Sequence, residues 1–363
     1  MYDLLIIGGG ISGMVASIVA SRRGKKVLVL ERAEKVGKKL LATGNGKCNL
    51  ANTHSVSRMY NTEFVYPILE KYNLSVQQDF YKSIGLLTKE VAGRIYPYSE
   101  QASSVLNALR KEMEKLGVKV VTGYEVSDVK EGYRVGEYSA KNILLATGSK
   151  ATFGMESGFL YEKFGHHNNE RRPSLVPMLT SQENLKGLRG VRCKAIASLY
   201  AKNRLINENF DEIIFKDNGV SGTAIFNLST TLARRRYQDV MICLNLMPEY
   251  TLTEVEEIIR TVGIEHLFHK EIVNNLLRIS SNVHSIASNV KAYPLSNVRL
   301  GSSDLAQVMS GGLKVEEFDI HTLESKLKKG LYATGEVLDV DGECGGFNVM
   351  WAVASGMAVG ENV

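Results

Sequence analysis

Residues 1–31, MYDLLIIGGGISGMVASIVASRRGKKVLVLE, decide the fold. Tyr2 to Ile7 is a short apolar run, Gly8-Gly9-Gly10-Ile11-Ser12-Gly13 supplies GxGxxG, an amphipathic stretch runs to Arg23, and Val27 to Leu30 is a second apolar run ending at Glu31. This order predicts a strand-turn-helix-strand unit that holds a dinucleotide. Gly8 permits the tight turn out of the strand, Gly10 lets backbone approach a phosphate, and Gly13 lets the helix lie close to the strand. The first turn of the helix, Ser12 included, then presents amides and a partial positive charge to a pyrophosphate. Glu31, eighteen residues after Gly13, is placed to accept hydrogen bonds from a ribose diol, and its charge disfavours a 2′-phosphate.

Composition sets the outer limits. A chain of 363 residues with 44% hydrophobic content has room for two or three domains with real cores. Its longest apolar stretches are strand-sized, and Met1 leads straight into a strand with no room for a signal peptide, so a cytoplasmic protein with no membrane partner is expected. Cys48, Cys193, Cys243 and Cys344 lie far apart with no CxxC pair, which argues against a zinc site, a disulfide framework and a dithiol reductase; no metal is expected. The formal charge of +5 is modest for this length. Lys25-Lys26, Lys38-Lys39, Arg171-Arg172, Arg234-Arg235-Arg236 and Lys328-Lys329 read as solvated faces, permitting a polyanionic partner without indicating one.

Gly37 to Asn49, GKKLLATGNGKCN, follows the acidic residue directly. Gly44 and Gly46 flank Asn45, and lysines stand on both sides, so Lys39, Thr43, Asn45, Gly46 and Asn49 are expected in a loop that bends against the cofactor. With this TGNGKCN segment, GRIYP at 93–97, GVSG at 219–222 and the C-terminal segment below, the sequence resembles the three-domain bacterial flavoproteins similar to aminoacetone oxidase and the bile-acid-inducible flavoprotein, which are NAD(P)/FAD-dependent oxidoreductases. The resemblance covers nearly the whole chain and specifies an FAD scaffold better than a substrate.

What the resemblance implies is an α/β chain. Its Rossmann-like, glutathione-reductase-like FAD-binding domain would be 1–172 and 320–363, with an inserted β-barrel-like domain at 173–250 and 292–319 and a small helical subdomain at 251–291. It also implies an adenine contact from backbone near Glu125-Val126, and closure over the dinucleotide by Ala146-Thr147-Gly148 at the end of a buried strand.

The remaining elements are read from pattern. Ala102, Val105, Leu106, Leu109, Met113 and Leu116 mark the buried face of a helix starting near Ser99. Arg94 and Tyr96, just before it, are candidate ligand contacts. Short β-like runs at 175–180, 192–201, 211–215 and 240–246 suggest a barrel or sandwich. Ser221 between Gly219-Val220 and Gly222 either caps the helix that follows or binds an anion, capping being the more ordinary role. Thr251-Leu252-Thr253-Glu254 is a capping-box pattern, 293–300 and 312–318 read as strands, and His266, His269, His284 and His321 read as ordinary histidines.

Gly335-Glu336 ends another strand, followed by Asp339, Asp341-Gly342 and Gly345-Gly346-Phe347-Asn348 at a helix start. In flavoproteins of this kind an acid here binds a ribityl hydroxyl, a part open to Glu336 or Asp339. The helix start at Gly345-Gly346 can stabilise negative charge on the flavin pyrimidine ring, or serve simply as a glycine N-cap. Cys48 and Cys344 each sit in a cofactor loop, where a redox pair between them is conceivable. Only one GxGxxG follows a strand, so NAD(P)H would dock transiently over the flavin. The expected function is FAD-dependent reduction of a C=C bond by hydride transfer at flavin N5, on a small-molecule enone or on ribosomal-RNA uridine. The alternatives are an amine oxidase acting on a small aminoketone and an RNA-binding protein with a structural flavin. No residue stands out as the catalytic acid or base.

Overall fold

A computed structural model describes residues 1–54, 58–151, 158–181 and 183–363. Contacts divide it into two units, 1–171 with 308–363 and 172–307.

The first unit is built on a parallel sheet in the order Leu331–Ala333, Tyr138–Leu145, Tyr2–Ile7, Val27–Glu31, Lys119–Thr122. The strand Tyr2–Ile7 lies in the middle, and its Leu4, Leu5 and Ile6 are wholly buried, as expected of a parallel strand covered on both faces. This is a Rossmann-type arrangement, with helix Ile11–Arg22 crossing from the first strand to the next.

That helix differs from the amphipathic reading. Ser12, Gly13, Met14, Val15, Ala16, Ser17, Ile18 and Ala20 are all buried, because the C-terminal helix Phe347–Asn362 packs along this helix in addition to the sheet. A Cβ at Gly356 would lie 2.5 Å from the Ser12 carbonyl oxygen, and one at Gly360 2.6 Å from Val19 Cβ. Small residues let the two helices approach this closely.

The helix Ala102–Lys115 buries Ala102, Val105, Leu106, Leu109 and Met113, the face read from the sequence, with Leu116 half-buried beyond its end. Glu112 is also buried on it, answered by the Arg22 guanidinium at 2.7 Å. Residues 66–87 form two helices, Tyr66–Lys71 and Leu74–Ser83, and a small antiparallel sheet joins Ala51–Asn52, Arg94–Pro97 and Thr88–Val91.

The second unit is a seven-stranded antiparallel sheet, ordered Tyr293–Leu295, Val240–Asn245, Arg192–Ala201, Arg204–Lys216, Gly219–Ser221, Met178–Leu179, Arg299–Leu300, an open half-barrel. Ala195, Ala197, Leu199 and Ala201 alternate onto its buried face. Helices Leu252–Thr261, Lys270–Ile279 and Val283–Lys291 share its core through Val255, Ile259, Ile272, Leu276, Ala287 and Val290. The capping box at Thr251 forms as read, its hydroxyl accepting from the Glu254 amide and the Glu254 carboxylate from the Thr251 amide.

Three features differ from what the sequence leads one to expect. Residues 308–319 belong to the first unit, because the strand Val308–Leu313 is buried throughout and Leu313 bridges to Leu338. Ser221 does not cap the helix Thr223–Arg234: it ends a strand, and Gly222 is the N-cap at φ +102°, where a Cβ would strike the Glu212 carbonyl at 2.2 Å. Arg171 and Arg172 are half-buried rather than solvated, and each donates to main-chain carbonyls.

Candidate functional site

The loops that leave the carboxyl ends of the central parallel strands meet in the first unit, where such sheets bind ligands. Gly8 turns at φ +107°, and a Cβ there would lie 2.4 Å from the Ala146 carbonyl oxygen. A Cβ at Gly13 would lie 2.2 Å from the Gly8 carbonyl oxygen, so helix and strand touch. Nothing stands within 4 Å of the position a Cβ would take at Gly10, and the helix that follows has no side-chain cap. The turn thus leaves open space before uncapped amides. The Glu31 carboxylate spans it, accepting from the Gly9 amide at 2.7 Å and the Ala33 amide at 2.8 Å. Two oxygens carry about four lone pairs, so acceptor capacity remains for a diol. Beside Glu31, the Tyr124 amide donates to the Glu31 carbonyl, which brings the buried Val126 segment to the same sheet edge.

The glycine-rich loop is a kinked pair of 3₁₀ turns over Leu40–Gly46, with Gly44 and Asn45 both left-handed, at φ +56° and +54°. Asn45 and Gly46 are exposed, and the Thr43 hydroxyl donates to the Leu40 carbonyl. Asn49 is only 8% exposed, and its buried Oδ1 has no hydrogen-bond partner among the described residues. An orphaned buried acceptor is costly, so Oδ1 calls for a donor from outside the described residues, such as water or a ligand. Cys48 next to it is buried, and burial pushes its thiol up to about 11 against the opposing hydrogen bond of Thr43. Cys48 and Cys344 are free thiols.

Lys39 reaches the other end of the chain, forming an ion pair with Glu336. The same carboxylate accepts from the Ser149 hydroxyl and, at 2.8 Å, from the Met309 amide. Glu336 therefore joins the glycine-rich loop, the segment after Ala146-Thr147-Gly148 and the strand Val308–Leu313. Arg171 strengthens the junction, donating to the carbonyls of Gly148 at 3.3 Å and Val337 at 3.1 Å. Gly335 turns at φ +64°, close to the Ser12 hydroxyl. Asp339, buried, accepts from Asn169 Nδ2 at 2.7 Å.

The C-terminal helix begins at Gly346, φ +103°, with no side-chain cap. A Cβ on Gly346 would lie 2.6 Å from both the Ala51 carbonyl oxygen and Asn49 Oδ1, so the orphaned acceptor adjoins the helix start. The turn before it is held rigidly. Asn348 closes it through the Gly342 amide and carbonyl, Asn52 Nδ2 donates to the Gly345 carbonyl at 2.9 Å, and the Tyr60 hydroxyl donates to the Phe347 carbonyl at 2.7 Å. Glu343, in this turn, is half-buried and makes no side-chain hydrogen bond or ion pair with the described residues, and burial raises its carboxyl above the usual range. Sequence reasoning passed over Glu343, whose only signal was its place two residues before Gly345.

Among the described residues no group of histidine, cysteine and carboxylate side chains is arranged to hold a metal, and no helix is long and apolar enough to cross a membrane. His269 caps the helix Lys270–Ile279, and His284 lies against Glu256 at 2.6 Å.

The chain matches the HI0933-like protein Rossmann domain family over residues 2–362, and it belongs to that family. It is 32% identical to a 3-dehydro-bile acid delta(4,6)-reductase of Clostridium scindens, over 99% of this chain and 98% of the relative. It is 26% identical to a ribosomal RNA dihydrouridine synthase of Escherichia coli, over 100% and 98% of the two chains. A 3-ketosteroid delta1-dehydrogenase from Sterolibacterium denitrificans shares the fold at a TM-score of 0.51 with 12% identity, over 99% of each chain. The chain is an FAD-dependent oxidoreductase.

Proposed function

We propose that the chain reduces a carbon–carbon double bond conjugated to a carbonyl, in a small cyclic enone, with electrons from NAD(P)H. The observation that carries this reading is the likeness along the whole chain to a relative named as a reductase of a 3-dehydro bile acid. An oxidised C3 next to a Δ4 bond is an enone. Uracil carries the same kind of bond, so RNA uridine, the second class suggested by the relatives' names, asks for the same chemistry.

The open turn at Gly10 and the orphaned Asn49 Oδ1 fit a dinucleotide flavin. In this reading the Gly8–Gly13 turn and its helix hold the pyrophosphate, Glu31 the adenosine ribose and backbone near Val126 the adenine. Ala146, Thr147 and Gly148 lie alongside, and the loop from Lys39 to Asn49 lies against Gly335, Glu336 and the Gly345–Asn348 helix start. FAD, when bound, supplies two-electron transfer from the nicotinamide to the carbon β to the carbonyl.

The chain's own residues supply the rest. Uncapped first-turn amides at Gly346 face developing negative charge with a dipole already in place. The α carbon needs a proton, and Glu343 can hold one at its carboxyl at a pH where an exposed glutamate is ionised. The turn that carries it is fixed by Asn348, Asn52 and Tyr60, so the acid is positioned before the substrate arrives.

The test is product analysis after incubation of the flavin-loaded enzyme with NADH or NADPH and either a 3-oxo-Δ4 steroid or a uridine-containing ribosomal RNA fragment. A steroid product heavier by two hydrogens supports the reading. Reduction of the RNA alone moves the substrate class, and reduction of neither rejects ene reduction for both.

A further inference from the structure

Resting on the enone reading above, we infer that His54 Nε2 is the hydrogen-bond donor to the carbonyl oxygen of the substrate. The segment that carries His54 is anchored at two points on the turn of Glu343. Asn52 Nδ2 donates to the Gly345 carbonyl at 2.9 Å, and the Glu343 amide donates to the Met59 carbonyl at 2.9 Å. His54 stands two residues beyond the first anchor, on the stretch of chain laid against the turn of the acid that supplies the proton.

Although His54 is exposed, its ring is held on two sides. Asn52 Oδ1 accepts the His54 main-chain amide at 2.9 Å and faces ring Nδ1 at 2.7 Å, while a Cβ at Gly93, φ +78°, would lie 2.7 Å from His54 Cε1. The Asn52 amide is oriented from both ends, because the Gly345 carbonyl only accepts and the His54 main-chain amide only donates. Oδ1 is therefore the atom that meets Nδ1, and Nδ1 carries the hydrogen. The main-chain bond alone closes this turn, as it would for any residue but proline at 54, so the ring's bond is not needed for the loop. What it does is fix the tautomer and aim Nε2, which makes no hydrogen bond with the described residues. A positioned ring with one nitrogen left over suits a group that serves a reacting atom. With the ring protonated, Nε2 donates as well. As hydride arrives at the β carbon, the electron pair of the double bond moves towards the carbonyl oxygen, where Nε2–H meets the negative charge. Glu343 then gives its proton to the α carbon and the carbonyl reforms.

In the experiment the flavin-loaded protein is reduced anaerobically with stoichiometric dithionite and mixed with a 3-oxo-Δ4 steroid while the return of flavin absorbance is followed. His54→Asn puts an amide nitrogen where Nδ1 stands and nothing where Nε2 stands. His54→Gln, one carbon longer, brings its amide nitrogen to the place of Nε2. The asparagine variant is reoxidised about a hundredfold more slowly, the cost of one donor to a developing oxyanion, and the glutamine variant recovers to within about tenfold of the wild type. An asparagine variant as fast as the wild type overturns the inference, because holding Asn52 is then all that the ring does. A glutamine variant as slow as the asparagine variant overturns it too, and either result leaves enone reduction standing. Wild-type protein that stays bleached with the steroid overturns the enone reading and this inference with it.

Discussion

Glu31 reaches back across the glycine-rich turn to accept the Gly9 amide at 2.7 Å, tying the end of the second strand to the end of the first. The same carboxylate takes the Ala33 amide at 2.8 Å. A residue expected to recognise ribose thus also shapes the turn that meets the pyrophosphate. Glu31→Ala is expected to weaken FAD binding by about ten- to a hundredfold, the range for losing charge-assisted hydrogen bonds. Flavin fluorescence titration measures it, and an unchanged affinity would remove Glu31 from the site.

Gly10 and Gly13 make a contrasting pair. Gly10→Ala adds a methyl group to open space, so the flavin-free protein should melt as the wild type does while its affinity for FAD falls. Gly13→Ala drives a methyl group into the Gly8 carbonyl and should cost about 1–3 kcal/mol of stability before any ligand is added. Thermal melts of the two stripped variants, set beside their flavin titrations, separate the effects.

Much of this was legible in the sequence. The turn, the two strands and the position of Glu31 follow from local pattern, and so does the capping box at Thr251, which needs only four consecutive residues. What escaped depends on partners distant in the chain. Arg171 looked solvated because its carbonyl acceptors at Gly148 and Val337 come from two separate strand ends. The helix Ile11–Arg22 looked amphipathic because the helix packed along it is the last in the sequence. Ser221 looked like a cap because the close approach of Glu212 to Gly222 leaves no local trace. Glu343 was silent because its character comes from burial, and burial of a lone glutamate has no sequence signature.

Glu317 gives the fold an acid limit. Burial alone would raise its carboxyl, but the His167 amide, then the rings of His167 and His166, outweigh that and hold it below the usual 4.5. A lowered folded-state value contributes stability that is complete above 4.5 and is lost as the pH falls through the folded value. Glu317→Gln should lower the melting temperature at neutral pH and flatten its fall in acid. Parallel curves for the two proteins below pH 4.5 would contradict this.

Glu343 should divide the two half-reactions. Glu343→Gln leaves flavin reduction by the nicotinamide unchanged, while enone reduction slows by about a hundredfold or more, the usual contribution of a positioned acid. In the wild type the enone step should decline as the pH rises through the elevated value of this carboxyl, and in the variant that limb should disappear. A variant whose pH profile matches the wild type would exclude Glu343 as the proton donor.

Anaerobic stopped-flow mixing tests the central claim most directly. The yellow protein is first bleached with NADH or NADPH in stoichiometric amount, then mixed with a 3-oxo-Δ4 steroid while flavin absorbance is followed. Rapid bleaching by a nicotinamide, followed by return of the yellow colour at a rate set by enone concentration, is the predicted result. A reduced protein that stays bleached with the enone and regains colour only when oxygen is admitted would contradict enone reduction.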